Sequence, residues 1–206
     1  MFTSDPTALL QSLDKVQWSV ATRTFGSSHA TLIGLISSWW IGLSPNAHSV
    51  LDGAPSYGSG NAGWCDLMLC CDDKPLGVVE VEGTKPLGKI CTLSAYFSSN
   101  RQEFASIWFG LLLVYAYGTK GKGAAKQYPP AETPEVIDAA RMVSATYPAK
   151  ALAIVALDKI VDVELSAVRR VSPYYAGSCN RVTASVFMKG KKIERPVLFE
   201  NTDKIA

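Results

Sequence analysis

A chain of 206 residues with 48% hydrophobic and 18% charged residues can bury a sizeable core, which excludes wholesale disorder and fits one domain over residues 1–206. The net charge of +2 argues for no partner by itself, but residues 1–118 hold 6 basic and 9 acidic side chains, whereas residues 119–206 hold 14 and 9. The second half therefore offers either a modest basic face to a polyanion or an ordinary solvated surface.

The elements follow in chain order. Residues 6–20 read as a helix, with Asp5 as its cap and Pro6 at the first position. A second helix is expected over 28–42, where Leu32, Ile33, Leu35, Ile36, Trp39 and Trp40 spread over a wide apolar face. Residues 44–63 are rich in Ser, Pro, Gly and Asn, with a short strand near His48–Leu51 and then a loop through SYGSGNAG. An apolar hairpin follows, with strands at 64–71 and 76–82 and a turn at Asp72-Asp73-Lys74. Residues 86–105 read as a helix, and 107–117 as a buried strand ended by Gly118. GTKGKGAAKQYPP, 118–130, is a basic loop. A helix over 133–147 starts from Thr133 and Pro134, and 150–157 is another buried strand. From residue 180 the chain alternates, which predicts a terminal hairpin around Gly190. This order of helices and strands predicts an α/β sandwich with a mixed sheet.

The five cysteines, Cys65, Cys70, Cys71, Cys91 and Cys179, are odd in number and lack paired zinc-ligand spacing. MFTSDPTALLQS has no secretory pattern, so a reducing cytoplasm is the expected compartment. The apolar stretches 31–43 and 107–117 fall short of the ~20 residues a membrane span needs.

The hairpin carries the chemistry. Asp66 interrupts its first apolar run, and Glu80 and Glu82 end its second. Glu80 and Glu82 share a face of their strand, and Asp66 joins them if it pairs with position 80 or 82. A slip of one residue would send Asp66 to the other face. Carboxylates gathered on one patch repel unless some are protonated or a cation lies among them. Mg²⁺ suits such a patch, because it takes one or two carboxylates and completes its shell with water and phosphate oxygens. That is the chemistry of phosphodiester hydrolysis.

The stretch GWCDLMLCCDDKPLGVVEVEGTKP resembles the PD-(D/E)xK nuclease superfamily, whose restriction-endonuclease-like fold has a core of helix, three strands, helix and strand. The resemblance covers about residues 28–118. It implies a restriction-endonuclease-like mixed sheet flanked by helices, here with the terminal β-hairpin as an extension. It implies that Asp66 and Glu80 ligate Mg²⁺, for which Mn²⁺ substitutes. Two positions depart from the family pattern: Cys65 stands where Pro precedes the Asp, and Glu82 stands where Lys is usual. Some members use Glu there, and others recover the lysine from the following helix, which offers Lys85 and Lys89. Glu82 would then add a ligand or orient the attacking water, and Lys85 or Lys89 would stabilise the pentavalent charge.

His29 and His48, the two histidines, suggest no triad, and no Gly-x-Ser-x-Gly elbow is present. Ser59 and Asn61, in a loop ahead of the Asp strand, are either contacts to a DNA backbone or part of a plain flexible loop. Lys120, Lys122 and Lys126 lack the spacing of a nucleotide-binding loop but suit phosphate contacts. Lys189, Lys191 and Lys192 at the terminal turn are a second such group, or a solvated turn. The expected activity is that of a Mg²⁺-dependent endonuclease on DNA, with a homodimer as a means of cutting both strands. Its rival is an inactive nucleic-acid-binding or assembly protein on the same fold, and a third reading makes the hairpin acids incidental.

Overall fold

The computed structural model describes residues 5–18, 29–51, 64–83, 85–115, 132–159 and 179–200. Among these residues the α-helices are α1 (Pro6–Ser12), α2 (His29–Ile41), α3 (Pro86–Ser98) and α4 (Pro134–Thr146). The strands among them are β1 (Ala47–Leu51), β2 (Leu67–Cys71), β3 (Lys74–Glu82), β4 (Phe109–Tyr115), β5 (Ala151–Lys159), β6 (Cys179–Met188) and β7 (Lys191–Glu200). They form one sheet in the order β1 to β7. β1 and β2, and β2 and β3, pair antiparallel; β3, β4 and β5 are mutually parallel; β6 and β7 return antiparallel. The parallel step from β3 to β4 is made through α3, and that from β4 to β5 through α4.

The sheet is buried on both faces, which explains the continuous apolar runs of β2, β4 and β5. One face packs Leu67, Leu69, Val79, Val81 and Leu111 against α1 and α2. The other packs Met68, Val78, Leu112 and Ile154 against α3 and α4. Among the described residues no helix is long and apolar enough to cross a membrane.

The expected mixed sheet with flanking helices is present, and the terminal hairpin extends it by pairing β6 with β5. Its turn, Lys189-Gly190, has positive φ at both residues, 54° and 72°, which matches the twist of paired strands. Several elements are shorter or longer than expected: β2 starts at Leu67, not 64, and β4 at Phe109, not 107. α1 ends at Ser12 and continues as a 3₁₀ turn, Leu13–Lys15, because the Trp18 indole N–H donates to the Leu13 carbonyl at 3.0 Å. α3 ends at Ser98, not 105: Ser98 and Ser99 turn their hydroxyls to nearby backbone groups, and a separate 3₁₀ turn buries Phe104 against Tyr96. β3 starts at Lys74, not 76, because the turn needs only Asp72 and Asp73, at φ 50° and 58°.

Gly77 has a packing role. It lies beside Phe109 in the β3–β4 register, and a Cβ there would fall 2.2 Å from the Phe109 ring. That ring is held by Trp40 and Trp108, at centroid distances of 5.8 Å and 4.8 Å. Gly77→Ala is therefore expected to cost about 2 kcal/mol by overpacking, read as a fall of roughly 6 °C in the midpoint of thermal unfolding. An unchanged midpoint would show that Phe109 relaxes freely.

Candidate active site

The position of Asp66 is decided by one irregularity in the β2–β3 hairpin. Beside the turn, Cys71 pairs with Lys74 and Cys70 with Pro75. Further on, Leu69 pairs with Gly77, Met68 with Val78 and Leu67 with Val79. Leu76 is the extra residue of a bulge. Continued without the bulge, the turn register would set Asp66 opposite Val79, on the wrong face. With it, the register carried one step past Leu67 and Val79 sets Asp66 opposite Glu80, one of the two pairings that put it on the face of Glu80 and Glu82.

Both carboxylates are held tightly. Glu80 is fully buried, between Val79 and Val81 on a strand with neighbours on both sides. Its Oε2 accepts from Lys89 Nζ at 2.5 Å, while its Oε1 is buried without a hydrogen-bond partner. Asp66 lies just before β2, its side chain 14% exposed, and one hydrogen-bond donor and two ion-pair partners meet at its Oδ2. They are the Val81 N–H at 2.7 Å, His29 Nε2 at 3.2 Å and Lys89 Nζ at 3.7 Å. Lys89 is brought in by helix phase: Pro86 is the first residue of α3, and Ile90 and Leu93 bury their side chains against the sheet. The ammonium thus bridges the two acids.

The electrostatics are those of a site short of positive charge. Burial pushes the Glu80 carboxyl up to about 8; the Lys89 hydrogen bond opposes this, and the neighbouring Asp66 carboxylate reinforces it. Burial alone would lower the Lys89 ammonium, but its hydrogen bond to Glu80, with the fields of Glu80, Asp66 and Glu82, holds it above its ordinary value. Behind the acids, burial raises the Cys65 thiol to about 12 and makes it an unreactive wall, and the Cys65 N–H donates to the Tyr96 hydroxyl at 3.3 Å.

Glu80 predicts a pH dependence of stability. The native protein keeps a proton up to about 8 that the unfolded chain releases near 4.5. Because the folded state binds more protons in that interval, stability falls as pH rises from 4.5 to about 8, and then levels. Thermal unfolding without divalent metal at pH 5.5 and pH 8 should show this loss in the wild type and a smaller one in Glu80→Gln. Equal losses would place the titration elsewhere.

Four of the residues the sequence singles out meet at the site. Asp66, Glu80 and Lys89 come together, and Glu82 shares the face of Glu80, half-buried, its Oε1 accepting from the Gly83 N–H at 2.8 Å. Lys85 does not join them: it is the exposed N-cap residue of α3 and makes no ion pair among the described residues. Ser59, Asn61, Lys120, Lys122 and Lys126 lie outside the described residues. Lys192 is tied to Glu132 at 3.4 Å and lies over the Phe187 ring, whereas Lys189 and Lys191 are exposed at the turn. His48 stands opposite Cys70, near the turn end of the hairpin and away from Asp66. His29, which no sequence pattern places here, is at the site because α2 begins beside Asp66.

The donor set suits a hard divalent cation. Among the described residues no group of three or more His, Cys, Asp and Glu converges as a metal cage. Two carboxylates, one with a buried oxygen lacking a partner, are what Mg²⁺ takes when water and phosphate complete its shell. No protein-family model, characterised protein or solved structure matches the chain.

Proposed function

We propose that this chain is a Mg²⁺-dependent nuclease that hydrolyses phosphodiester bonds in DNA, as an endonuclease of restriction type. The observation that carries the reading is the convergence of Asp66, Glu80 and Lys89 on one patch, with an unpartnered carboxylate oxygen buried in it. The element order adds support: α2, three antiparallel strands, α3 and a parallel fourth strand follow the helix, three strands, helix and strand of the PD-(D/E)xK core.

Asp66 and Glu80 would hold Mg²⁺, or Mn²⁺ in its place. A divalent cation there supplies polarisation of the scissile phosphate and a bound water of lowered pKa. The Lys89 ammonium, kept charged by its acidic neighbours, would leave Glu80 and face the charge that builds on phosphorus. Glu82 would orient the attacking water from the rim of the same face. Lys120, Lys122, Lys126, Ser59 and Asn61 remain proposed contacts to the DNA backbone, and two copies would serve to cut both strands. The free thiols of Cys65, Cys70, Cys71 and Cys91 suit a cytoplasmic setting.

One observation favours the rival reading, an inactive nucleic-acid-binding or assembly protein. Lys89 Nζ itself sits between the acids and could replace a metal permanently. Supercoiled plasmid incubated with purified protein in Mg²⁺, Mn²⁺ or EDTA separates the two. Nicking or linearisation that requires metal supports the nuclease. Retarded migration of DNA with no cleavage in any metal supports the binding protein and ends the catalytic reading.

A further inference from the structure

His29 is the one donor at the carboxylate patch for which the nuclease reading has no use. It opens α2 on the face of the sheet opposite α3, so it reaches Asp66 from the far side of Lys89. Its Nε2 lies 3.2 Å from Asp66 Oδ2, within ion-pair range, and because a carboxylate only accepts, Nε2 is the atom that would donate there. The histidine side chain is 47% exposed, against 14% for the aspartate. Asp66 needs such a partner. It lies in a bend before β2, outside the ladder, so strand pairing does not fix its side chain. The Val81 N–H pins Oδ2 from the sheet, while His29 approaches it from α2 and Lys89 from α3.

We propose that His29 is a positioning residue that orients Asp66 for a divalent cation. The inference rests on the reading of Asp66 and Glu80 as metal ligands. Hydrogen-bonded partners of ligating carboxylates fix their orientation, and losing one typically costs 10–100-fold in metal affinity. His29 makes no contact with the cation; it holds the carboxylate that does. The contact also ties α2 to the metal end of the hairpin, so binding there should steady the start of that helix.

The test is calorimetric titration of the full chain with Mn²⁺, comparing wild type with His29→Ala, His29→Leu and His29→Gln. Glutamine keeps an N–H donor at similar reach, whereas alanine and leucine have none. The expected result is a Kd raised roughly 10- to 100-fold in His29→Ala and His29→Leu, with His29→Gln within about threefold of wild type. In plasmid cleavage the first two should lower kcat and leave KM for DNA unchanged. Leucine keeps bulk at the helix start, so a folding defect in the alanine variant would not spoil the comparison. Unchanged Mn²⁺ affinity in the alanine and leucine variants overturns the role of His29 and leaves the metal site standing. A glutamine variant as weak as alanine also overturns it, because the donor would then not matter. Absence of Mn²⁺ binding by the wild type overturns the metal site, and this inference with it.

Discussion

Replacing Glu80 by glutamine is expected to reduce metal-dependent plasmid cleavage by more than about 10²-fold while leaving the fold intact, the loss typical of removing one electrostatic partner of a transition state. The substitution changes little except charge. Glutamine has the same shape, its carbonyl oxygen can still accept from Lys89, and the side chain stays in a fully buried slot. What disappears is the anionic oxygen that a hard cation requires. Mn²⁺ affinity should fall with the rate. A Glu80→Gln protein that cleaves as the wild type does would mean that the metal lies elsewhere or that the activity is foreign to this chain.

Lys89→Met should have the next largest effect, and its sign separates the two readings of the site. Methionine keeps the apolar stem beside α3 and removes the ammonium. In the nuclease, that ammonium opposes the growing charge on phosphorus, so the rate should fall by about 10²-fold. The pH dependence should move as well. Lys89 is the group that lowers Glu80, so without it the Glu80 carboxyl climbs beyond about 8 and the proton competes better with metal. Residual cleavage should then require a more alkaline solution than the wild type needs. If Lys89 instead stands permanently in the place of a metal, Lys89→Met would vacate that place, and Mn²⁺ would bind more tightly at pH 9 with no activity to lose. Rates from pH 6 to 10, with calorimetry at pH 9, distinguish the outcomes.

Much of the fold is written in local patterns. Asp5 and Thr133 accept from backbone N–H groups at the starts of α1 and α4, and the prolines after them sit where a first helical residue needs no donor. The terminal hairpin follows from alternation around Lys189-Gly190. Helix ends were less legible, since α1 and α3 stop where side chains and the Trp18 indole take over backbone groups, not where the apolar pattern ends.

The site divides in the same way. Alternation puts Glu80 and Glu82 on one face, but the sequence leaves Lys85 and Lys89 open, and the start of α3 at Pro86 decides for Lys89. The partnership of Asp66 with Glu80 is different. The two-residue turn alone would separate them, and only the bulge at Leu76 brings them together. That bulge has no local signature such as glycine at the extra position. It is fixed by tertiary contacts, among them the Trp108 N–H donating to the Leu76 carbonyl at 3.0 Å. His29 was still less legible, because its approach to Asp66 depends on how α2 lies on the sheet.

The central claim is that Asp66 and Glu80 together hold a divalent cation. Crystals of the full chain soaked in Mn²⁺, with anomalous scattering recorded at the manganese edge, test it most directly. The predicted result is a strong peak bonded to one oxygen of each carboxylate, with the Lys89 ammonium drawn away from Glu80. A map without a peak at saturating Mn²⁺, and with Lys89 still bridging both acids, would contradict it.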